Sequence, residues 1–333
     1  MTFLAMQIAL VVLGLTALIY GASKFVNGAI HLATALGVSM MLIGLTVVSL
    51  GTSGPELVVS VMAGLQDQGH LAIGNVLGSN LSNLGLILGI SLCLAPIPIS
   101  MAFRRLELPA LGVSTALLIP FLGDGLVSRV EGAVFIGLMG VLFWAWRRRE
   151  KAHGEGIPLA EMEELQEEME QEETSGGTIS LKKSTLEVLI GLVLLLIGGR
   201  LTVDAAVEIA TFLNISERII GLTMVAVGTS LPELATSVVA VRKKQSDIIL
   251  GNVVGSNLAN ILLVLGIASL LKPLDFADAS AKTDIFAVCV LTAVTAFFCL
   301  IKSRMARWNG PVLFLLYLFY MLWAVQSDFI ADL

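Results

Sequence analysis

Charge is scarce in this chain of 333 residues: Asp, Glu, Lys and Arg together make up 14%, against about 25% in an average soluble domain. A globule of this length could not cover its surface with so little charge, which excludes disorder, a fibre and almost any soluble enzyme. Cysteine is nearly missing. Cys93, Cys289 and Cys299 stand singly in apolar runs, with neither an even count nor metal-ligand spacing, so a disulfide scaffold is excluded and the three read as small core residues. An excess of positive charge is also missing: the formal net charge is −6 and the pI near 5.2, which argues against a nucleic-acid partner. The N-terminal MTFLAMQIALVVLGLTALIY lacks a basic lead and a small-residue cleavage site. It reads as a first membrane span and not as a removed leader. What is abundant is apolar: 56% of residues, with 32 glycines besides. The class that remains is an all-α polytopic membrane protein.

A bilayer core of about 30 Å needs roughly 20 helical residues. Ten candidate spans meet this: 3–26, 38–65, 70–95, 106–123, 129–147, 185–204, 216–241, 246–271, 283–301 and 310–327. The second, third, seventh and eighth are interrupted by Gly, Ser, Thr, Pro or Asn, and we expect each to be broken at mid-membrane, where only buried or cavity-lining backbone tolerates it. The basic residues divide 15 to 5 between the loops after odd and even spans. By the positive-inside rule both termini lie outside and the long segment 148–184 is cytoplasmic. That segment carries a dense run of glutamates from Glu155 to Glu173 without EF-hand spacing, so a solvated linker is preferred over a Ca²⁺ sensor.

Sliding the sequence against itself by 177 residues reveals a repeat. GTSGPELVVSVMAG (Gly51–Gly64) falls on GTSLPELATSVVAV (Gly228–Val241), GNVLGSNLSNLGLILGI (Gly74–Ile90) on GNVVGSNLANILLVLGI (Gly251–Ile267), and IGLTVV (Ile43–Val48) on IGLTMV (Ile220–Val225). From Gly14 to Pro96, about 39 of 83 positions are identical without a gap. The organisation is therefore a first five-span repeat over 1–147, the acidic loop over 148–184, and a second repeat over 185–333. An odd number of spans inverts the second copy, the architecture of many secondary transporters.

Glu56 and Glu233 fall near the middle of spans two and seven. A carboxylate there costs about 2.5 kcal/mol or more unless neutralised, and no Lys or Arg stands at that depth, so the counter-charge is a proton or a bound cation. Pro55 and Pro232 remove backbone donors, with Ser49 and Thr52, and Ala226 and Thr229, as candidate free carbonyls. Thr52, Ser53, Thr229 and Ser230 add hydroxyls. On spans three and eight, Ser79 and Asn83, and Ser256 and Asn260, are i, i+4 neighbours on one helix face. Asn75, Asn252, Asn80 and Asn257 are read instead as interhelical or local hydrogen-bonding groups. The donors are all oxygens, which suits Ca²⁺ and Na⁺ and disfavours Zn²⁺ and Cu. Two negative charges are balanced by one Ca²⁺ or by monovalent cations, but poorly by both, and that competition is a physical basis for exchange.

The paired GTSxPE and GSN motifs, with ten spans in inverted repeats around an acidic loop, resemble the prokaryotic sodium/calcium exchanger branch of the Ca²⁺/cation antiporter superfamily. The resemblance covers nearly the whole chain. It implies exchange of one Ca²⁺ for Na⁺, usually three, by alternating access, with spans one and six sliding as a gating pair. It implies Glu56 and Glu233 as the main Ca²⁺ ligands. Thr52, Ser53, Ser79, Asn83, Thr229, Ser230, Ser256 and Asn260 complete the ion sites, with Ser49 and Ala226 giving carbonyls. It further implies a protein of the plasma (bacterial inner) membrane, working as a monomer in the bilayer, with no cofactor and no enzymatic activity. Some exchangers of this kind carry Asp where this chain has Asn260, and here the site is symmetric. The alternative is a Ca²⁺/H⁺ or other cation/proton exchanger. An organic-anion symporter would want a basic residue at mid-depth, and a receptor or scaffold would use the glutamates only structurally.

Overall fold

The computed structural model describes residues 2–153, 181–213, 226–276 and 279–331. Most of the acidic segment, and the first half of the seventh span with its IGLTMV motif, fall outside these residues. The described chain is almost wholly helical. Helix α1 (Thr2–Leu36) contains no proline and one charge before its last turns, Lys24. At about 1.5 Å per residue it is longer than a bilayer core is thick. It stops where Gly37 takes a left-handed φ of +64°, with the Val38 N–H turned back to the Ala33 carbonyl at 3.0 Å.

Helix α2 (Met40–Thr52) and α3 (Gly54–Leu65) meet at Ser53 with a bend of 48°. Ser39 caps α2, its Oγ accepting from the Leu42 N–H at 3.2 Å. Next come α4 (Gly69–Leu94), a two-residue strand β1 (Ile97–Pro98), α5 (Met101–Arg105), α6 (Glu107–Phe121), β2 (Leu126–Val127) and α7 (Arg129–His153). After the acidic segment follow α8 (Leu181–Phe212), α9 (Ala226–Thr229), α10 (Leu231–Arg242), α11 (Ser246–Leu271), β3 (Leu274–Asp275), α12 (Ala279–Ile301), β4 (Arg304–Met305) and α13 (Asn309–Ala331). Among the described residues, six helices are long and apolar enough to cross a membrane, and seven if the bent pair α2–α3 is taken as one.

The interruptions differ from the sequence expectation. Spans three and eight were expected to break, yet α4 and α11 run through without a gap. Each instead contains one π-helical turn, Ser82–Ile87 and Ala259–Val264. A π turn absorbs the irregularity while keeping the backbone hydrogen-bonded, so no break is needed. Turns out of helix occur at Ser53 and Ser230, two residues before Pro55 and Pro232. There the ring lacks the N–H that would continue the ladder.

Burial separates centre from rim. The most apolar window of α11 is 94% buried and that of α4 78%, against 17% for α1. α1 and α8 pack against each other antiparallel through glycines. Ideal Cβ atoms on Gly14, Gly21 and Gly28 would meet the backbone of Thr202, Leu195 and Val188 at 2.8, 2.7 and 2.6 Å. From the other side, Gly191 and Gly198 abut Phe25 and Leu18. His31 Nδ1 lies 2.9 Å from Glu187 Oε2 at one end of this seam.

Interactions recur at the repeat offset. Strand β1 pairs with β4 (Ile97 with Met305) and β2 with β3 (Val127 with Leu274). Shifting each residue by 177 or 178 converts one ladder into the other. Gly132 abuts the Gly266 carbonyl as Gly310 abuts that of Gly89. The hydroxyls of Thr115 and Thr292, 177 apart in sequence, are 3.4 Å apart, as expected of residues on an axis that relates the two halves.

Candidate ion-binding centre

Glu56 and Glu233 each sit in the first turn of a helix that begins with Gly/Leu-Pro, α3 and α10. Proline is well placed there, since the N–H it lacks would be an orphan anyway. The side chains are 1% and 2% exposed, deep inside the bundle. Asparagines on the central helices clamp both. Asn75 Nδ2 on α4 donates to the Glu56 carbonyl (3.2 Å) and to Ser60 Oγ (2.9 Å). Asn252 Nδ2 on α11 donates to the Glu233 carbonyl (3.4 Å) and to Ser237 Oγ (3.1 Å). These are the same bonds 177 residues on, and they agree with the packing role read for Asn75 and Asn252.

The two halves also bond across one another. Ser53 Oγ donates to Glu233 Oε1 at 3.5 Å, and Thr52 Oγ1 to Asn252 Oδ1 at 3.3 Å. Ser79 Oγ donates to Glu56 Oε1 at 3.4 Å. The remaining oxygens of the two carboxyl groups, Glu56 Oε2 and Glu233 Oε2, have no hydrogen-bond partner, and neither have Asn83 Oδ1, Asn260 Oδ1, Ser230 Oγ and Ser256 Oγ. Six buried oxygens without a proton donor are costly in an apolar interior.

No Lys, Arg or His among the described residues pairs with either glutamate. Elsewhere the bundle does neutralise a buried acid: Glu107, fully buried, lies 2.7 Å from Arg149 Nη1. Among the described residues no group of three His, Cys, Asp or Glu forms a metal site. The candidate centre offers two carboxylates among neutral oxygens.

Of the residues picked from the sequence, Ser49, Thr52, Ser53, Glu56, Ser79, Asn83, Ser230, Glu233, Ser256 and Asn260 are all buried. Thr229 is half-buried at the end of α9, and Ala226 opens that helix. The Ser49 carbonyl is not left bare as anticipated. It accepts from the Ser53 N–H at 2.9 Å and from Thr52 Oγ1 at 3.3 Å. The proline at position 55 cannot supply the bond to residue 51, four back, so the helix loses a rung at Gly51 and keeps the one at Ser49. Asn80, read from the sequence as an interhelical or local hydrogen-bonding group, does bond between helices: its Oδ1 accepts from Asn260 Nδ2 at 3.2 Å. That its partner is a candidate ion ligand was not foreseen; its place in the doubled GSN motif was the available signal.

The helical bundle thus buries two acids for which the described residues supply no fixed counter-charge. The family model described as "Sodium/calcium exchanger protein" matches residues 6–146 and 183–326. The chain belongs to this family, whose members are transporters and not enzymes. It is 33% identical to sodium/calcium exchanger MaX1 of Methanosarcina acetivorans over 94% of this chain and 96% of that one. To the inner membrane protein YrbG of Escherichia coli it is 34% identical, over 89% of each. Its fold is similar to that of the sodium-calcium exchanger NCX_Mj, with a TM-score of 0.80 at 31% identity over 97% of this chain and 99% of that one.

Proposed function

We propose that this protein is a secondary antiporter exchanging Ca²⁺ for Na⁺ by alternating access at one central site. The observation that carries the proposal is the pair Glu56 and Glu233, each buried to within 2% and each with one carboxylate oxygen lacking a donor. In this reading Ca²⁺ bridges the two carboxylates. Na⁺ competes for them with help from Thr52, Ser53, Ser79, Asn83 and their counterparts Thr229, Ser230, Ser256 and Asn260, with the Ala226 carbonyl as a further ligand. An empty −2 site is costly at this depth, so the site crosses only when loaded, which couples the two fluxes. The ion gradients drive the cycle, and no cofactor takes part.

Ten spans in two inverted units, 1–147 and 185–333, flank a cytoplasmic loop over 148–184, and both termini are outside. The exchanged β-ladders, the duplicated asparagine clamps and the antiparallel α1–α8 seam support this arrangement. The close glycine packing of α1 on α8 suits the pair to moving as one unit against the buried helices. The 34% identity to an inner membrane protein supports the same location here, and one chain carries the whole site, consistent with a monomer.

The test is Ca²⁺ uptake into proteoliposomes with the membrane potential clamped, following ⁴⁵Ca²⁺ and ²²Na⁺. A Na⁺ gradient alone, with no pH gradient, should drive Ca²⁺ uptake, and Glu56→Gln should abolish it while the protein still folds. Flux unchanged by Glu56→Gln removes the assignment of the site. Uptake that follows only a pH gradient replaces Na⁺ by H⁺ as the counter-ion.

A further inference from the structure

We infer that Asn80 is a positioning residue, one that fixes the orientation of the Asn260 side chain toward the ions; this rests on the exchange reading above. Asn80 stands on α4 and Asn260 on α11, 180 residues apart, and both are buried. The Asn80 Oδ1 accepts the Asn260 amide N–H at 3.2 Å. An amide carries its oxygen and nitrogen on opposite sides of one carbon. Anchoring the nitrogen therefore turns the oxygen the other way, and Asn260 Oδ1 has no protein partner. Asn260 presents a pure acceptor whose direction is set before any ion arrives.

The other half lacks this device among the described residues, although its motif differs only in having Ala259 where the first copy has Ser82. Asn257, the counterpart of Asn80, donates its amide to the Val253 carbonyl of its own helix at 2.7 Å and leaves its Oδ1 without a partner. Among the described residues no hydrogen bond joins Asn257 to Asn83. The corresponding GSNLSN and GSNLAN motifs thus yield two unlike amides, Asn260 anchored from across the halves and Asn83 without such an anchor. A ligand already oriented loses no torsional freedom on binding, so Asn260 contributes more to cation affinity than Asn83 does, and Asn80 is the reason.

Equilibrium binding of ²²Na⁺ and ⁴⁵Ca²⁺ to purified protein in detergent tests this without needing turnover. Asn80→Leu, similar in volume but without an acceptor, should weaken binding of at least one ion about fivefold, the worth of one hydrogen bond. The decisive measurement is a double-mutant cycle. Asn80→Leu should have no further effect in an Asn260→Ala background and its full effect in an Asn83→Ala background. Asn80→Asp, which keeps the acceptor, should retain the Asn260-dependent part of the binding that Asn80→Leu loses. Melting curves in ion-free buffer identify any variant that is unfolded, and Asn80→Ala then takes the place of Asn80→Leu. An equal loss in all three backgrounds, or no loss in the native background, overturns the inference while leaving the exchanger reading intact. Native binding unaltered by Glu56→Gln and Glu233→Gln would overturn the site itself.

Discussion

The seam between α1 and α8 makes a sharp quantitative demand. An alanine Cβ at position 191 would fall 2.4 Å from the Phe25 nitrogen and 2.7 Å from its Cα. At position 21 it would fall 2.7 Å from the Leu195 nitrogen and 2.8 Å from Leu194 Cβ. Comfortable carbon contacts lie at about 3.5–4.0 Å, so each methyl group must open the seam by roughly 1 Å. The obstacles are largely backbone atoms and cannot swing aside. Overpacking of this kind costs about 1–3 kcal/mol, and the better helix propensity of alanine returns up to about 1 kcal/mol. Gly191→Ala should therefore lower stability by about 1–2 kcal/mol. The control is Gly199→Ala on the same helix, where the nearest atom would be Leu18 Cδ1 at 3.6 Å, an ordinary contact. There only the propensity gain remains and stability should hold or rise slightly. Gly21→Ala and Gly191→Ala face each other across the seam, so their combination should be non-additive. Thermal unfolding in detergent reads the stability, and Na⁺-driven Ca²⁺ uptake per folded molecule reads the motion. If α1 and α8 work as a closely fitted pair, Gly191→Ala loses both and Gly199→Ala neither. Equal melting temperatures and equal fluxes for the two variants would refute the reasoning.

Other outcomes follow from the same geometry. Arg149→Met strands the buried Glu107 carboxylate and should destabilise the protein by about 3–5 kcal/mol; adding Glu107→Gln should recover most of that in the same melting assay. Asn75→Ala and Asn252→Ala each remove the clamp on a glutamate-bearing helix, and both should weaken Ca²⁺ binding by about fivefold, one hydrogen bond's worth, as measured by ⁴⁵Ca²⁺ titration. Glu56→Gln and Glu233→Gln should impair Ca²⁺ uptake about equally, and a strongly one-sided effect would mean that the halves are functionally unlike. Asn260→Asp should change the Na⁺ dependence of uptake more than the melting temperature; an unaltered Na⁺ profile counts against its place in the site.

Much was legible in the residue string alone. The scarcity of charge excluded a soluble protein, because a water-facing surface has to be solvated. The 177-residue offset exposed two copies of one unit, because identical short motifs at fixed spacing do not arise from hydrophobicity alone. The glutamates, hydroxyls and asparagines were found because acids without nearby basic residues are expensive in an apolar interior wherever they end up. What only tertiary structure decided are the relations between the copies. Sequence periodicity describes one helix at a time, so it called for breaks in α4 and α11 where a π turn keeps the backbone bonded, and it freed the wrong carbonyl at Ser49. It could not see that Ser53 reaches Glu233, or that β1 finds β4, since those bonds join segments roughly 180–210 residues apart. Above all, it assigned Asn80 and Asn257 one role. A hydrogen bond depends on where the partner stands, and packing brought a partner from the opposite half to only one of them.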